Sequence, residues 1–179
     1  MKNTLIVVDM QKGFARYKQT QKLAKDIADL LEKNLFDIVI ATRFLNQNDS
    51  IYERLLDWHR LKDRGEQQLD EEIQKHIDIV VDKNIYNCVN ETFIQRLFSL
   101  NDGIKPKQIF VVGADTDCCV LVIATSLFEN GIRPHCADKI LPLNNGGLKA
   151  HIAGLRYLKR LIGEKQLINN VCKALKYGY

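Results

Sequence analysis

Two adjacent cysteines, Cys118 and Cys119, stand where an apolar run gives way to polar residues and then to a second apolar segment. Residues 109–112 read as a buried strand, and the segment after the cysteines has helical apolar spacing, so the cysteines fall at a helix start. Thr116 or Asp117 could cap that helix. The unpaired N–H groups of a first helical turn carry partial positive charge, which lowers a thiol pKa and can hold an oxyanion. The stretch therefore predicts a thiol nucleophile in a strand-to-helix turn.

A carboxylate, Asp9, follows another apolar run. Residues 4–8 are almost continuously apolar, which is typical of a parallel strand buried on both faces, so Asp9 lies at the carboxyl end of the first strand. In a doubly wound sheet with strand order 3-2-1-4-5-6, the first and fourth strands flank the point where the order reverses, and ligands bind there. Asp9 and Cys119 should therefore meet across one crevice, although 110 positions separate them.

Strands and helices alternate along the rest of the chain. This predicts one α/β domain over residues 1–179, with a doubly wound, mostly parallel, six-stranded sheet and helices on both faces. Between residues 42 and 65 the chain is polar and irregular apart from a possible short helix at 52–58, so this segment is the expected wall of a pocket. The predicted strands are 4–8, 36–41, 77–81, 109–112, 133–137 and 167–171, with Pro134 placing the fifth strand near an edge. Three predicted helices have apolar residues at helical spacing: Leu23, Ile27, Leu30 and Leu31 in the first, Phe93, Leu97 and Leu100 in the second, and Val120, Ile123, Ala124, Leu127 and Phe128 in the third. A further long helix is predicted over residues 148–162.

The stretch around the cysteines resembles the isochorismatase-like cysteine hydrolase superfamily, which includes nicotinamidases and related amidases. The nucleophile motif of that family runs Gly, two residues, Thr, two residues, Cys, Val. The chain has Gly113, Thr116, Cys119 and Val120 in those places, and this register selects Cys119 over Cys118 as the nucleophile.

Two further segments carry the same resemblance, so that three motifs in the family's order span most of the chain. The opening LIVVDMQKGF matches the first-strand signature through Asp9, Gln11 and Phe14. The segment VVDKNIYNC matches the lysine segment of the family through Lys83 and Tyr86.

The resemblance implies a triad of Cys119, Asp9 and Lys83 that cleaves an amide of a small molecule. Asp9 would take the thiol proton, the thiolate would attack the carbonyl carbon, and the lysine cation would favour both anions. The backbone N–H groups of Asp115 and Cys119 would hold the oxyanion, after a non-proline cis peptide between Ala114 and Asp115. Asp9 would then protonate the leaving nitrogen and activate the water that opens the thioester. The third strand lies two strands from the first, about 10 Å away, so Lys83 needs a long reach.

The sequence also departs from the family. Nicotinamidase-type members carry an Asp-x-His and further histidine metal ligands after the second strand, whereas this chain has TRFLNQNDSIYERLLDWH there. The histidines, which are His59, His76, His135 and His151, are scattered, so we expect no catalytic metal and no other cofactor. True isochorismatases cleave a vinyl ether and generally lack the cysteine, which leaves an ether hydrolase as the less favoured alternative within the family.

The substrate itself stays open among nicotinamide, other carboxamides, carbamoyl compounds and ureido acids. Phe14 and Trp58 are candidates to stack on a planar substrate, although either could equally belong to the core.

Composition limits the other partners. The net charge of +4 is spread without a dense basic run, which argues against nucleic acid. The first residues enter a strand pattern directly and no apolar run approaches the roughly 20 residues of a membrane span, so we expect a cytoplasmic protein without membrane contact. Five cysteines at irregular spacing favour reduced thiols. The resemblance further implies a homo-oligomer.

A phosphoacceptor receiver-like signalling domain is the alternative from a different class. Asp9, Asp82, Thr116 and Lys139 would each follow a strand in such a sheet. Against this, Val8 stands where a paired acid would be needed, the 73-residue step from Asp9 to Asp82 is too long, and the cysteines would have no role.

Overall fold

Six parallel strands form one sheet in the order β3-β2-β1-β4-β5-β6, which confirms the predicted single-domain α/β fold. The computed structural model describes residues 2–137 and 146–177. The strands are β1 Thr4–Val8, β2 Ile38–Phe44, β3 Ile79–Lys83, β4 Gln108–Gly113, β5 Arg133–Ala137 and β6 Leu167–Ile168. The helices are α1 Lys18–Leu31, α2 Ile51–Leu56, α3 Arg64–Gln67, α4 Glu71–Gln74, α5 Glu91–Leu100, α6 Cys119–Glu129, α7 Gly147–Ile162 and α8 Val171–Tyr177, with a 3-10 turn at Glu164–Gln166.

Strand β1 is buried on both faces, as its apolar run predicts. Ile6 and Val8 point into one apolar cluster, formed with α5, α6 and α7, while Leu5 and Val7 point into a second cluster on the opposite face, formed mainly with α1 and α8. All four side chains are fully buried. Since β1 pairs with β2 on one side and β4 on the other, its carboxyl end lies at the centre of the sheet edge where the site forms.

Several boundaries differ from the sequence prediction. Strand β2 begins two residues later than predicted and continues to Phe44, because Thr42, Arg43 and Phe44 pair with β3, which itself extends through Lys83. The polar Thr42 and Arg43 break the apolar run, so apolar spacing does not show this extension. The sixth strand has only two residues, since the chain turns into α8 at Val171.

The segment 42–65 contains α2, close to the short helix predicted at 52–58, and the first residues of α3. Helix α4 follows this segment. The helix after the cysteines begins at Cys119, and neither Thr116 nor Asp117 caps it, because Cys118 occupies the cap position and makes no side-chain cap bond. Phe128 is 46% exposed rather than buried.

Gly113 lets β4 approach β1 at the start of the nucleophile loop, which is the connection between Gly113 and Cys119. Its φ is +121°, and a Cβ there would lie 2.6 Å from the backbone nitrogen of Val8 and closer still to the Val8 carbonyl oxygen. We expect Gly113→Ala to lower the free energy of unfolding by about 4 kcal/mol, from backbone strain together with overpacking. Urea unfolding measures this loss. Gly103→Ala is the matched control, since Gly103 has φ +76° with nothing within 4 Å, and it should lose only about 1 kcal/mol. Equal losses in the two variants would contradict the close approach.

Candidate active site

Asp9, Lys83 and Cys119 come together at the carboxyl edge of the sheet. The Nζ of Lys83 lies 2.7 Å from Oδ2 of Asp9 and 3.3 Å from Sγ of Cys119. The Asp9 and Lys83 side chains are 0% and 2% exposed, and Cys119 is also buried. Asp9 directly follows β1, Lys83 ends β3 and Cys119 begins α6, so three elements distant in sequence supply one cluster. The long reach that the sequence required of Lys83 is present.

Lys83 reaches the site by crossing the end of β2. It pairs in register with Phe44, and its Nζ lies 4.9 Å from the centre of the Phe44 ring. The ammonium also donates to the carbonyl oxygen of Ile85 at 3.2 Å. These contacts direct the cation towards the cluster, and the ring face adds an attraction of its own.

Asp9 is oriented by Thr42. The Asp9 backbone has φ +51°, and its N–H donates to the carbonyl and hydroxyl oxygens of Thr42 at 3.2 and 3.1 Å. The Thr42 hydroxyl in turn donates to Oδ1 of Asp9 at 2.6 Å. Oδ2 makes no aligned hydrogen bond within the described part of the chain, so charge attraction holds its contact with Lys83. One carboxylate oxygen is thus fixed, and the other is directed at the lysine of the cluster.

Burial governs the protonation of Cys119. It raises the pKa of this thiol well above the ordinary value, the Asp9 carboxylate raises it further, and Lys83 lowers it only in part. The helix start predicted a lowered thiol pKa, and that prediction is wrong, because burial and Asp9 raise the pKa. Burial lowers the pKa of Lys83, but the charges of Asp9 and Cys119 outweigh burial, and the net pKa is raised. Asp9 and Lys83 thus form a buried ion pair beside the Cys119 thiol.

The nucleophile loop connects β4 to α6. The peptide between Ala114 and Asp115 is cis, as the resemblance implied. The carbonyl oxygen of Asp115 accepts from the N–H groups of Cys118 and Val120 at 3.1 and 3.2 Å. Cys119 is the first residue of α6, so its N–H is among the donors that a helix leaves without an intrahelical acceptor. Asp115 and Cys119 both border the pocket, where an oxyanion would bind.

Helix α7 anchors this loop from behind. The Oγ1 of buried Thr116 lies 2.9 Å from Nδ1 of His151. A Cβ at Gly154 would lie 2.8 Å from the backbone nitrogen of Asp117, so the helix packs directly on the loop. The motif threonine is therefore a loop anchor and not a helix cap. No sequence spacing linked it to His151.

A cavity of about 390 Å³ opens in front of Cys119. Phe14 and Trp58, the predicted stacking candidates, both border it, with ring centroids 6.2 Å apart and planes 18° from parallel. The remaining lining residues are Gly13, Arg16, Tyr17, Phe44, Tyr52, Leu56, Arg60, Tyr86, Asp115, Cys118 and Cys119.

Phe14 and Trp58, together with Phe44, Tyr52 and Tyr86, form an aromatic wall of the cavity. The sequence did not predict Phe44 or Tyr52 as site residues. The Phe44 ring contacts Tyr52 at 5.1 Å and Trp58 at 5.7 Å. Tyr86, which the lysine-segment match contains, contacts Tyr52 at 5.1 Å. Gln11 fixes the Phe44 backbone, since its Nε2 donates to the Phe44 carbonyl at 2.9 Å and its Oε1 accepts from the Phe44 N–H at 2.7 Å. The first-strand match signalled Gln11, but not this contact.

Residues 2–137 and 146–177 contain no cluster of three or more His, Cys, Asp or Glu side chains that could hold a metal ion. His59 pairs with Asp57 at 2.7 Å on the surface, His135 stacks on Phe110 and His151 contacts Thr116, so these histidines lie in separate places.

Asp82 does not belong to the site. Its carboxylate pairs with Arg43 through two contacts of 2.6 and 2.8 Å and does not border the cavity. Lys139 lies outside the described residues. The geometry thus offers no support for the receiver alternative.

Among residues 2–137 and 146–177, no helix is both long and apolar enough to cross a bilayer.

The model of the isochorismatase domain family matches residues 3–140. An isochorismatase-like hydrolase from Alkaliphilus metalliredigens superposes with a TM-score of 0.75 at 17% identity, over 90% of this chain and 92% of that one. A nicotinamidase/pyrazinamidase from Bacillus subtilis gives 0.74 at 18% identity, over 91% and 97%. An N-carbamoylsarcosine amidase from Thermoplasma acidophilum gives 0.70 at 20% identity, over 91% and 94%. No curated protein matches the chain by sequence.

Proposed function

Because the chain belongs to the isochorismatase-like hydrolase family, we propose that it is a cysteine hydrolase that cleaves a C–N bond of a small amide through a thioester. The observation that carries this proposal is the buried cluster, in which Lys83 lies 2.7 Å from Asp9 and 3.3 Å from Cys119 at the end of a cavity. A nucleophile and a base that both contact one buried cation are the groups that acyl transfer needs.

Asp9 acts first as general base. It takes the proton of Cys119 as the thiolate attacks the amide carbon, which avoids a free thiolate in a buried site. Lys83 stays protonated and offsets the negative charge that passes from carboxylate to sulfur. The backbone N–H groups of Asp115 and Cys119 hold the oxyanion of the tetrahedral intermediate. Asp9 then delivers its proton to the leaving nitrogen, and ammonia or an amine departs.

The second half of the reaction uses the same groups in reverse. Asp9 removes a proton from water, and the resulting hydroxide attacks the thioester carbon. The thiolate of Cys119 leaves and recovers a proton, so that the acid product departs and the site returns to its resting state. A cysteine in this position supports acyl chemistry over ether cleavage, because a vinyl ether has no acyl carbon to form a thioester.

The test of the proposal is a screen of small carboxamides, carbamoyl compounds and ureido acids for ammonia release, with Cys119→Ala as the blank. Release by the parent protein and none by the blank supports the proposal. If hydrolysis of a vinyl ether were retained in Cys119→Ala while no amide was cleaved by the parent, the proposal would be wrong.

Chelation tests the metal-free character of the chemistry. Since every group in the proposed route is a protein atom or water, we expect the amidase activity to survive exhaustive EDTA treatment within about twofold. The measurement is ammonia release before and after dialysis against chelator. Activity that is lost on chelation and restored by zinc, iron or manganese would overturn this prediction.

A further inference from the structure

The cavity has an apolar wall and one arginine that no described carboxylate neutralises. We propose that the amide substrates of this site carry a second, anionic group such as a carboxylate, and that Arg16 binds it. This inference rests on the proposed amide hydrolysis and adds the substrate class.

Two arginines border the cavity, but only one is available to a ligand. The guanidinium of Arg60 forms an ion pair with Glu66, and the same carboxylate accepts from the Leu61 N–H at 2.7 Å. The guanidinium of Arg16 forms no ion pair with any described carboxylate. It lies 5.2 Å from the centre of the Tyr17 ring, and its Nη2 is 3.5 Å from the Tyr17 hydroxyl. Most of its five N–H donors therefore remain free for an anion.

The chain before Arg16 is held against the wall that carries Arg60. The N–H of Lys12 donates to the carbonyl of Gln68 at 2.8 Å, and the N–H of Gly13 donates to the carbonyl of Glu66 at 2.9 Å. A Cβ at Gly13 would lie 3.0 Å from that same Glu66 oxygen and closer still to Cδ2 of Leu61, so any larger residue would have to displace these neighbours. Together with the Phe14 ring on Trp58, these contacts hold the segment that presents Arg16 to the cavity.

The remaining charges fix the orientation of a ligand. Asp9 beside the nucleophile is neutralised by Lys83, whereas Arg16 borders the cavity and pairs with no described carboxylate. The scissile amide therefore lies at Cys119, the body of the substrate packs on the aromatic wall, and the anionic group lies at Arg16. Carboxylates suit this arrangement because the guanidinium fork binds them through two parallel hydrogen bonds.

A matched pair of thiol reagents tests the anion site without requiring turnover. The probes are 4-(iodoacetamido)benzoate and iodoacetanilide, which share one electrophile and one ring and differ by a carboxylate. The rate of Cys119 alkylation by each is followed by mass spectrometry, and the ratio of the anionic to the neutral rate is compared among variants. A charge-assisted pair of this kind corresponds to roughly a 10- to 100-fold fall in the ratio for Arg16→Gln. Lys18→Gln removes the same charge from a residue outside the cavity lining, and it should leave the ratio within about twofold.

The outcomes separate this inference from the proposed function. A ratio that is the same in parent and Arg16→Gln overturns the anion site, whether or not the protein releases ammonia from any amide. An equal fall in Arg16→Gln and Lys18→Gln also overturns it, because the effect would then be general charge attraction. A fall confined to Arg16→Gln supports the site, and the amide pair 4-carbamoylbenzoate and 4-methylbenzamide then extends the comparison to turnover.

Discussion

Cys119→Ala should abolish ammonia release, with a loss of at least about 10⁴-fold, whereas Cys118→Ala should keep most of the parent rate. Without the thiol at position 119 no thioester forms, and the remaining groups can only polarise the amide. Burial, Asp117 and Asp115 raise the pKa of Cys118 to about 12, and it is the sulfur of Cys119 that contacts Lys83 in the cluster with Asp9. The measurement is kcat/KM for the amide found in the screen.

Cys118→Ala and Cys119→Ala serve as controls for each other, because each variant removes one sulfur atom from the same turn. Equal urea midpoints would show that the fold is kept in both. Loss of turnover in Cys118→Ala with retention in Cys119→Ala would mean that the motif register has been misassigned.

Asp9→Asn should lower kcat by about 10⁴-fold or more. General acid–base catalysis contributes roughly 10²- to 10⁴-fold in a single step, and Asp9 acts in both halves of the reaction. The amide oxygen of asparagine can still accept the hydrogen bond of Thr42, so the loop keeps its anchor. The measurement is single-turnover and steady-state kinetics on the same amide.

Asp9→Asn leaves the buried ammonium of Lys83 without its ion-pair partner, so a control for lost stability is needed. Breaking a buried ion pair from one side is destabilising by about 3–5 kcal/mol unless another charge compensates. Asp9→Asn/Lys83→Met removes both charges, so it should recover most of any stability lost in Asp9→Asn while staying inactive. Recovery of activity in the double variant would contradict the role given to Asp9.

The sheet and the meeting of Asp9 with Cys119 could be predicted from the sequence because both depend on continuous apolar runs. A run such as residues 4–8 marks a strand buried on both faces, and the parallel topology then fixes which strand ends are neighbours. The position of Lys83 came from the motif alone. Its approach depends on residues 42–44 joining β2, and the polar Thr42 and Arg43 hide this extension from apolar spacing.

The sequence predicted that residues 42–65 form a wall of the pocket, and residues of this segment line the cavity. It did not predict which side chains of the segment reach the cavity. Phe44 and Tyr52 reach the cavity through side-chain packing between a strand end and a short helix, and spacing along the chain does not encode such contacts. The same holds for His151 behind Thr116, where two residues from different elements form one hydrogen bond.

The thiol pKa shows where local reasoning fails. A helix start next to a lysine predicts an acidic thiol, but the burial of Cys119 and the neighbouring carboxylate act in the opposite direction and outweigh it. A raised thiol pKa makes a neighbouring base such as Asp9 more important to the proposed reaction.

The most direct test of the triad is the pH dependence of Cys119 alkylation by iodoacetamide in the parent, Asp9→Asn and Lys83→Met proteins. Asp9 raises the pKa of the thiol and Lys83 lowers it. Removing the carboxylate should therefore shift the alkylation profile to lower pH and speed alkylation near neutrality, even though turnover collapses. Removing the lysine should shift the profile to higher pH and slow alkylation. Opposite shifts are the predicted result, and identical profiles in all three proteins would contradict the shared site.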